Sequence, residues 1–217
     1  VLGAIDPATG ATLWEVPADL DRRFTPLALP DRILFPGSTY VAYAIADGRE
    51  LSRTAGVCCT AIASPDGAHV YLRTGVDEAG ELLGDGRIGR RFRGEVAAVS
   101  GRFVAVLSRP GASTLAVYAH GGARPLWSVT GKDEHDDFSA VGISGDRVLF
   151  FRSGDDGVWM HDLATGRDRA LLTIHAKIVL SPDRRGSAPA NMTTPPVLAP
   201  PLLFVHDWTI RAYRVEE

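Results

Sequence analysis

The chain has 217 residues, 45% of them apolar, and a formal net charge of −3. That apolar content excludes a disordered polypeptide, and the negative total argues against nucleic acid as the main partner, because phosphate binding needs a basic surface. No run of about 18 apolar residues occurs, so direct membrane insertion is not expected, and no signal peptide is legible.

Residues 1–17 predict two short strands around a turn, Val-Leu-Gly-Ala-Ile-Asp-Pro-Ala-Thr-Gly-Ala-Thr-Leu-Trp. Asp6 and Gly10 suit that turn, since Asp bonds nearby backbone and Gly accepts positive φ. Residues 24–54 predict four strands ending in a second copy, Tyr40 to Leu51. Residues 57–93 predict another set whose second half, Glu81 to Arg93, is rich in Gly and Arg and reads as degraded. Residues 95–130 and 138–174 predict two clean sets, closing with Thr114 to Trp127 and Gly157 to Leu172. Residues 176–217 predict three strands and a proline-rich insert, Ser181 to Pro201. Proline cannot donate to a strand ladder, so the insert is expected to be a loop.

A second signal precedes most copies. It is an apolar stretch, a polar turn and another apolar run, as in Ala63-Ser64-Pro65-Asp66-Gly67-Ala68-His69-Val70 and Ile143-Ser144-Gly145-Asp146-Arg147-Val148. That is a hairpin signature. The two signals together give four short strands in a period of about 40 residues, the pattern of propeller blades. The expected fold is all-β, a β-propeller of four-stranded blades, with about six blades or an incomplete larger ring. A solenoid or a β-sandwich is the alternative, but a sandwich has no reason to repeat a motif. We expect one propeller domain over 1–217, and the opening at Val1 inside a motif suggests a segment of a longer chain. The basic residues are almost all Arg, with only Lys132 and Lys177 as lysines, which points to a GC-rich bacterial coding sequence.

The motif Ala4-Ile5-Asp6-x-x-Thr9-Gly10-x-x-Leu13-Trp14 resembles the repeat of PQQ-like (quinoprotein-like) β-propellers. His161 to Gly166 is a good second match; Ala44 to Gly48 and Val117 to Trp127 are weaker ones. The resemblance implies that the Trp or Leu closing each motif packs between blades, so Trp14 and Trp127 are expected there. Trp159 and Trp208 occupy other strand positions. Catalytic members of the family look like eight-bladed alcohol dehydrogenases that hold pyrroloquinoline quinone with calcium or a lanthanide and use an aspartate base. Non-catalytic members look like assembly scaffolds of the bacterial outer membrane or sensor domains of Ser/Thr kinases.

Four regions could carry chemistry. Cys58-Cys59 matches in type and adjacency the cysteine pair of the quinoprotein dehydrogenases, but the chain is too short for eight blades and the calcium-binding carboxylates cannot be placed. The pair is expected to be two small buried residues on opposite faces of an inner strand, in an undetermined redox state. Asp133-Glu134-His135-Asp136-Asp137 has four carboxylates, which suit a hard cation, yet lacks the alternating spacing and glycine of a calcium loop. It is expected to be a solvated acidic turn, open to a basic partner. Arg87, Arg90, Arg91 and Arg93 suit phosphate or an acidic protein surface, with a charged, solvated edge strand as the plainer reading. His69, His120, His135, His161, His175 and His206 are scattered, and no His-x-x-x-His, Glu-x-x-His, Gly-x-Ser-x-Gly or P-loop pattern occurs.

No catalytic, cofactor-binding or metal residue is therefore assigned, and no cofactor is expected. The sequence reads as a non-catalytic binding or scaffold module with a protein partner. The insert 181–201, the acidic loop 133–137 and the tract 87–93 depart most from the repeat and are the expected docking elements. The competing readings are a degenerate quinoprotein oxidoreductase, a hydrolase, or a small-ligand sensor using the central channel.

Overall fold

The computed structural model describes residues 1–17, 26–35, 39–55, 60–109, 112–134, 136–155, 157–173, 197–199, 202–206 and 210–214. Cys58, Cys59, His135, His175, Trp208 and residues 181–196 lie outside the described residues. The chain divides into two compact units, Val1–Val96 and Ala97–Glu217. Among the described residues no helix is long and apolar enough to cross a membrane.

The first unit opens on a two-stranded sheet, β1 (Leu2–Ile5) and β2 (Thr12–Val16). A four-stranded sheet follows in the order β3 (Leu27–Ala28), β4 (Arg32–Phe35), β5 (Thr39–Ala44), β6 (Glu50–Ala55). The next runs β7 (Ala61–Ala63), β8 (Val70–Gly75), β9 (Glu78–Leu82), β10 (Ile88–Arg93). A further sheet orders β11 (Glu95–Val99), β12 (Phe103–Ser108), β13 (Thr114–Ala119), β14 (Trp127–Thr130). In the second unit stand β15 (Phe138–Ser144), β16 (Arg147–Arg152), β17 (Gly157–Asp162) and β18 (Arg167–Thr173), then a three-stranded sheet of β19 (Val197–Ala199), β20 (Leu202–His206) and β21 (Ile210–Arg214). Each sheet pairs its strands in chain order, as the hairpin signals require.

Burial explains the apolar pattern. The middle strands β5, β12 and β16 are buried over four or five consecutive residues, because both of their faces are covered. The fourth strands β2 and β14 instead keep some alternate positions exposed. One core joins Leu29, Leu34, Tyr40 and Ala42 to Val70 and Leu72 of the following sheet. Another joins Ala105, Leu107, Leu115 and Val117 to Phe138, Val148 and Phe150. The Tyr40 hydroxyl, on β5, is shared between the carbonyls of Thr60, just before β7, at 3.1 Å and Arg73, on β8, at 3.2 Å. Burial pushes this phenol up to about 12.

Two expectations are corrected. The second half of the 57–93 set is not degraded: β9 and β10 pair from Ile88↔Leu82 to Arg93↔Glu78, with an irregularity between Ile88 and Arg91. Strand pairing uses backbone groups, and a single buried aromatic, Phe92 against Tyr71 with ring centroids 5.9 Å apart, anchors the edge. The insert 181–201 is not loop to its end either. Val197–Ala199 forms β19, paired Val197↔Phe204, because its prolines flank those three residues and leave their N–H groups available.

Candidate functional site

The acidic segment lies between β14 and β15, and one of its four carboxylates is turned inward. Asp136 is only 3% exposed. Arg152, the last residue of β16, grips it with both arms: Nη2 lies 2.6 Å from Oδ2 and Nε 2.9 Å from Oδ1. The Lys132 amide donates to the same carboxylate at 2.8 Å. The guanidinium bond holds the Asp136 carboxyl down to about 2. Arg152 also pairs with Asp155 at 3.2 Å.

Asp137 is tied down as well. It accepts from the Ser113 hydroxyl, and Arg109 stands 3.4 Å away. Its own amide donates to Ser153 Oγ at 2.7 Å. The expectation of a solvated acidic turn is therefore wrong for Asp136, whereas Asp137 is bonded yet its side chain is still 43% exposed. The Asp136 charge is offset by an arginine 16 residues downstream, which strand pairing of β15 with β16 brings alongside, and that of Asp137 by Arg109. Lys132, Asp133 and Glu134 remain exposed at the crest. Among the described residues, no three His, Cys, Asp or Glu side chains are grouped to hold a metal ion.

The arginine tract is an edge strand, as its plainer reading has it. β10 ends its sheet, with Arg91 and Arg93 exposed around buried Phe92. Arg87 pairs with Asp85 at 2.6 Å, Arg91 pairs with Glu78, and the Arg90 guanidinium lies 4.3 Å from the Phe92 ring centroid.

The motif-closing tryptophans pack between sheets. The Trp14 indole N–H donates to the Ile45 carbonyl at 2.7 Å, and its ring lies over Gly48 of the next sheet. Trp127 stacks on His161 with centroids 4.2 Å apart and planes at 18°, and tilts against Phe150 at 5.7 Å. Trp159 packs against the same core. Leu51, which closes its motif, and Leu13 and Leu126, which stand just before the closing tryptophans, are largely unpacked. Leu13, Leu51 and Leu126 are 63%, 42% and 57% exposed. Leu13 and Leu51 sit where the register slips, and Leu126 directly precedes paired Trp127 while its amide bonds the same partner residue, Val117. An extra residue at a bulge turns its side chain out of the alternation. Single-sequence periodicity does not show a bulge, so this was not legible.

His161 is the site residue that sequence reasoning passed over. It is 3% exposed, and its Nδ1 lies 2.7 Å from Asp168 Oδ1 on β18. The signal available was its place beside the Asp162 turn, one residue ahead of a repeat landmark. His69 faces Glu81 at 3.2 Å and His120 faces the Ser100 carbonyl at 2.7 Å, so these three histidines bind separate partners.

No family model matches the chain, and no curated protein does. Solved structures do. BamB from Moraxella catarrhalis is similar over 94% of this chain and 62% of its own length, at 12% identity and a TM-score of 0.61. The computationally designed Ika8 protein is similar over 98% of this chain and 64% of its own length, at 17% identity and a TM-score of 0.65. Saccharomyces cerevisiae Sqt1 is similar over 64% of this chain and 43% of its own length, at 12% identity and a TM-score of 0.50. The fold is a β-propeller of four-stranded blades. The chain spans less than two thirds of the length of each of these structures.

Proposed function

We propose that this chain is a single non-catalytic β-propeller domain of the PQQ-like repeat kind that binds a protein partner. The observation that carries the reading is the 131–137 segment. Internal bonds to Asp136 and Asp137 tie it to the neighbouring strands, while Lys132, Asp133 and Glu134 stand exposed at its crest. A rigid scaffold that presents a charged loop loses little entropy on docking. The fold likeness to BamB and Sqt1 supports the propeller scaffold on which this reading rests. The partner surface is basic, because the crest carries two carboxylates and one ammonium.

The test is capture of partners from native lysate with the whole chain as bait, against bait carrying Asp133→Lys and Glu134→Lys. Retention of a stoichiometric protein by the first bait and its loss from the second supports the reading. Equal retention by both baits moves the docking site elsewhere, with the insert 181–201 next to be deleted. Retention of nothing refutes the binding role.

A further inference from the structure

We propose that His161 is a proton-operated latch between two neighbouring sheets. It sits one residue before the turn that Gly166 closes on Asp162, where the amide–carbonyl distance is 2.8 Å. The same turn recurs as Gly10 on Asp6 and Gly48 on Ala44, so His161 occupies the place of Ile5 and Tyr43. At those two turns the place is held by an exposed isoleucine and a buried tyrosine. Here an imidazole stands there, buried, with an indole on one face and a carboxylate on Nδ1.

The link between the two sheets is the Trp127 stack, because His161 and Asp168 pair within one sheet, and the two protonation states make that stack differently. A neutral ring shares one hydrogen bond with Asp168 and stacks on Trp127 as a flat aromatic. A protonated ring makes an ion pair with Asp168 and places its charge over the indole face, which attracts cations. The proton comes from solvent and returns to it; no other bond changes. Histidine is the side chain whose charge changes within the physiological range.

The charged surroundings are few. β18 contributes Asp168, with Arg167 across from Asp162 in register, and Arg152 at the end of β16 also acts on the Asp168 charge. β17 contributes Asp162, and β16 contributes Arg147 on its other side. The β15–β16 turn contributes Asp146, already bound to Arg102 at 2.8 Å. β14 contributes no titratable side chain, only Trp127 and its neighbours. Asp168 is thus the one carboxylate bonded to the ring. The latch does not depend on which partner the domain binds.

The experiment is a pH titration of tryptophan emission on the whole chain between about pH 5 and 8, where histidine changes charge. A charged imidazole quenches a stacked indole, so the wild type is expected to dim reversibly on acidification. His161→Gln is expected to lose that step. The same step in wild type and His161→Gln overturns the proposal, as does a wild type with no step. Should His161→Gln fail to fold, the Cε1–H resonance of His161 in the wild type decides. A resonance that shifts in parallel with the emission supports the latch, and one that stays fixed from pH 5 to 8 overturns it.

Discussion

Arg152 and Asp136 form a buried, two-armed ion pair, 2.6 Å at its closest, that fastens the start of β15 to the end of β16. Such a pair contributes less than its Coulomb energy suggests, because both ions give up water, but removing one partner strands the other. Asp136→Asn is expected to cost about 3 kcal/mol at neutral pH, measured by urea unfolding. A cost under about 0.5 kcal/mol would show that water reaches the guanidinium and replaces the carboxylate.

The same pair sets an acid limit. The folded-state value of Asp136 lies below its ordinary value, at about 2. Its stabilisation is therefore complete above the unfolded value and is lost as pH falls through the folded one. About 2 kcal/mol is expected to vanish from the ordinary aspartate range down to about pH 2. Asp136→Asn lacks this dependence, so unfolding curves of wild type and variant should converge at low pH.

Gly48 and Gly10 separate backbone strain from packing. Both are left-handed, at φ +70° and +71°. A β-carbon on Gly10 meets nothing within 4 Å, whereas one on Gly48 falls 2.5 Å from Trp14 Cε3. Gly10→Ala is expected to cost about 1 kcal/mol, from strain alone. Gly48→Ala adds a clash with the indole and is expected to cost about 3 kcal/mol, with a blue or red shift of Trp14 emission. Equal costs would mean that the indole moves aside freely.

Tyr40→Phe removes one hydroxyl that serves the carbonyls of Thr60 and Arg73. The expected loss is about 2 kcal/mol in urea unfolding at neutral pH. The phenol is raised to about 12, so its contribution persists below the unfolded value and fades as pH rises towards 12. Absorbance of tyrosinate near the alkaline transition checks this. A component that appears only as the protein unfolds is the expected signature.

Leu13, Leu51 and Leu126 should tolerate polar replacement. Leu13→Ser, Leu51→Ser and Leu126→Ser are each expected to stay within about 0.5 kcal/mol of wild type, because the side chains are already in water. Leu115→Ala, at a fully buried position, is expected to cost about 3 kcal/mol. Thermal or urea midpoints distinguish the two classes directly.

The sequence by itself determined the strands, their grouping in fours and the turns between them. Those features are local. A positive-φ glycine after Asp6 or Asp162, and an apolar run buried on both faces, are written in consecutive residues. Even β10, which reads as degraded, needed only Phe92 among its arginines to hold the edge. What only the tertiary structure decided are the partners that pairing brings together across the chain. Asp136 and Arg152 are 16 residues apart, Trp127 and His161 are 34, and no spacing rule links them. The loop that looks like free acid is therefore a braced corner, and a histidine that looks incidental is stacked between sheets. Burial and pairing set the character of a charge, and both depend on the other strands rather than on neighbouring letters.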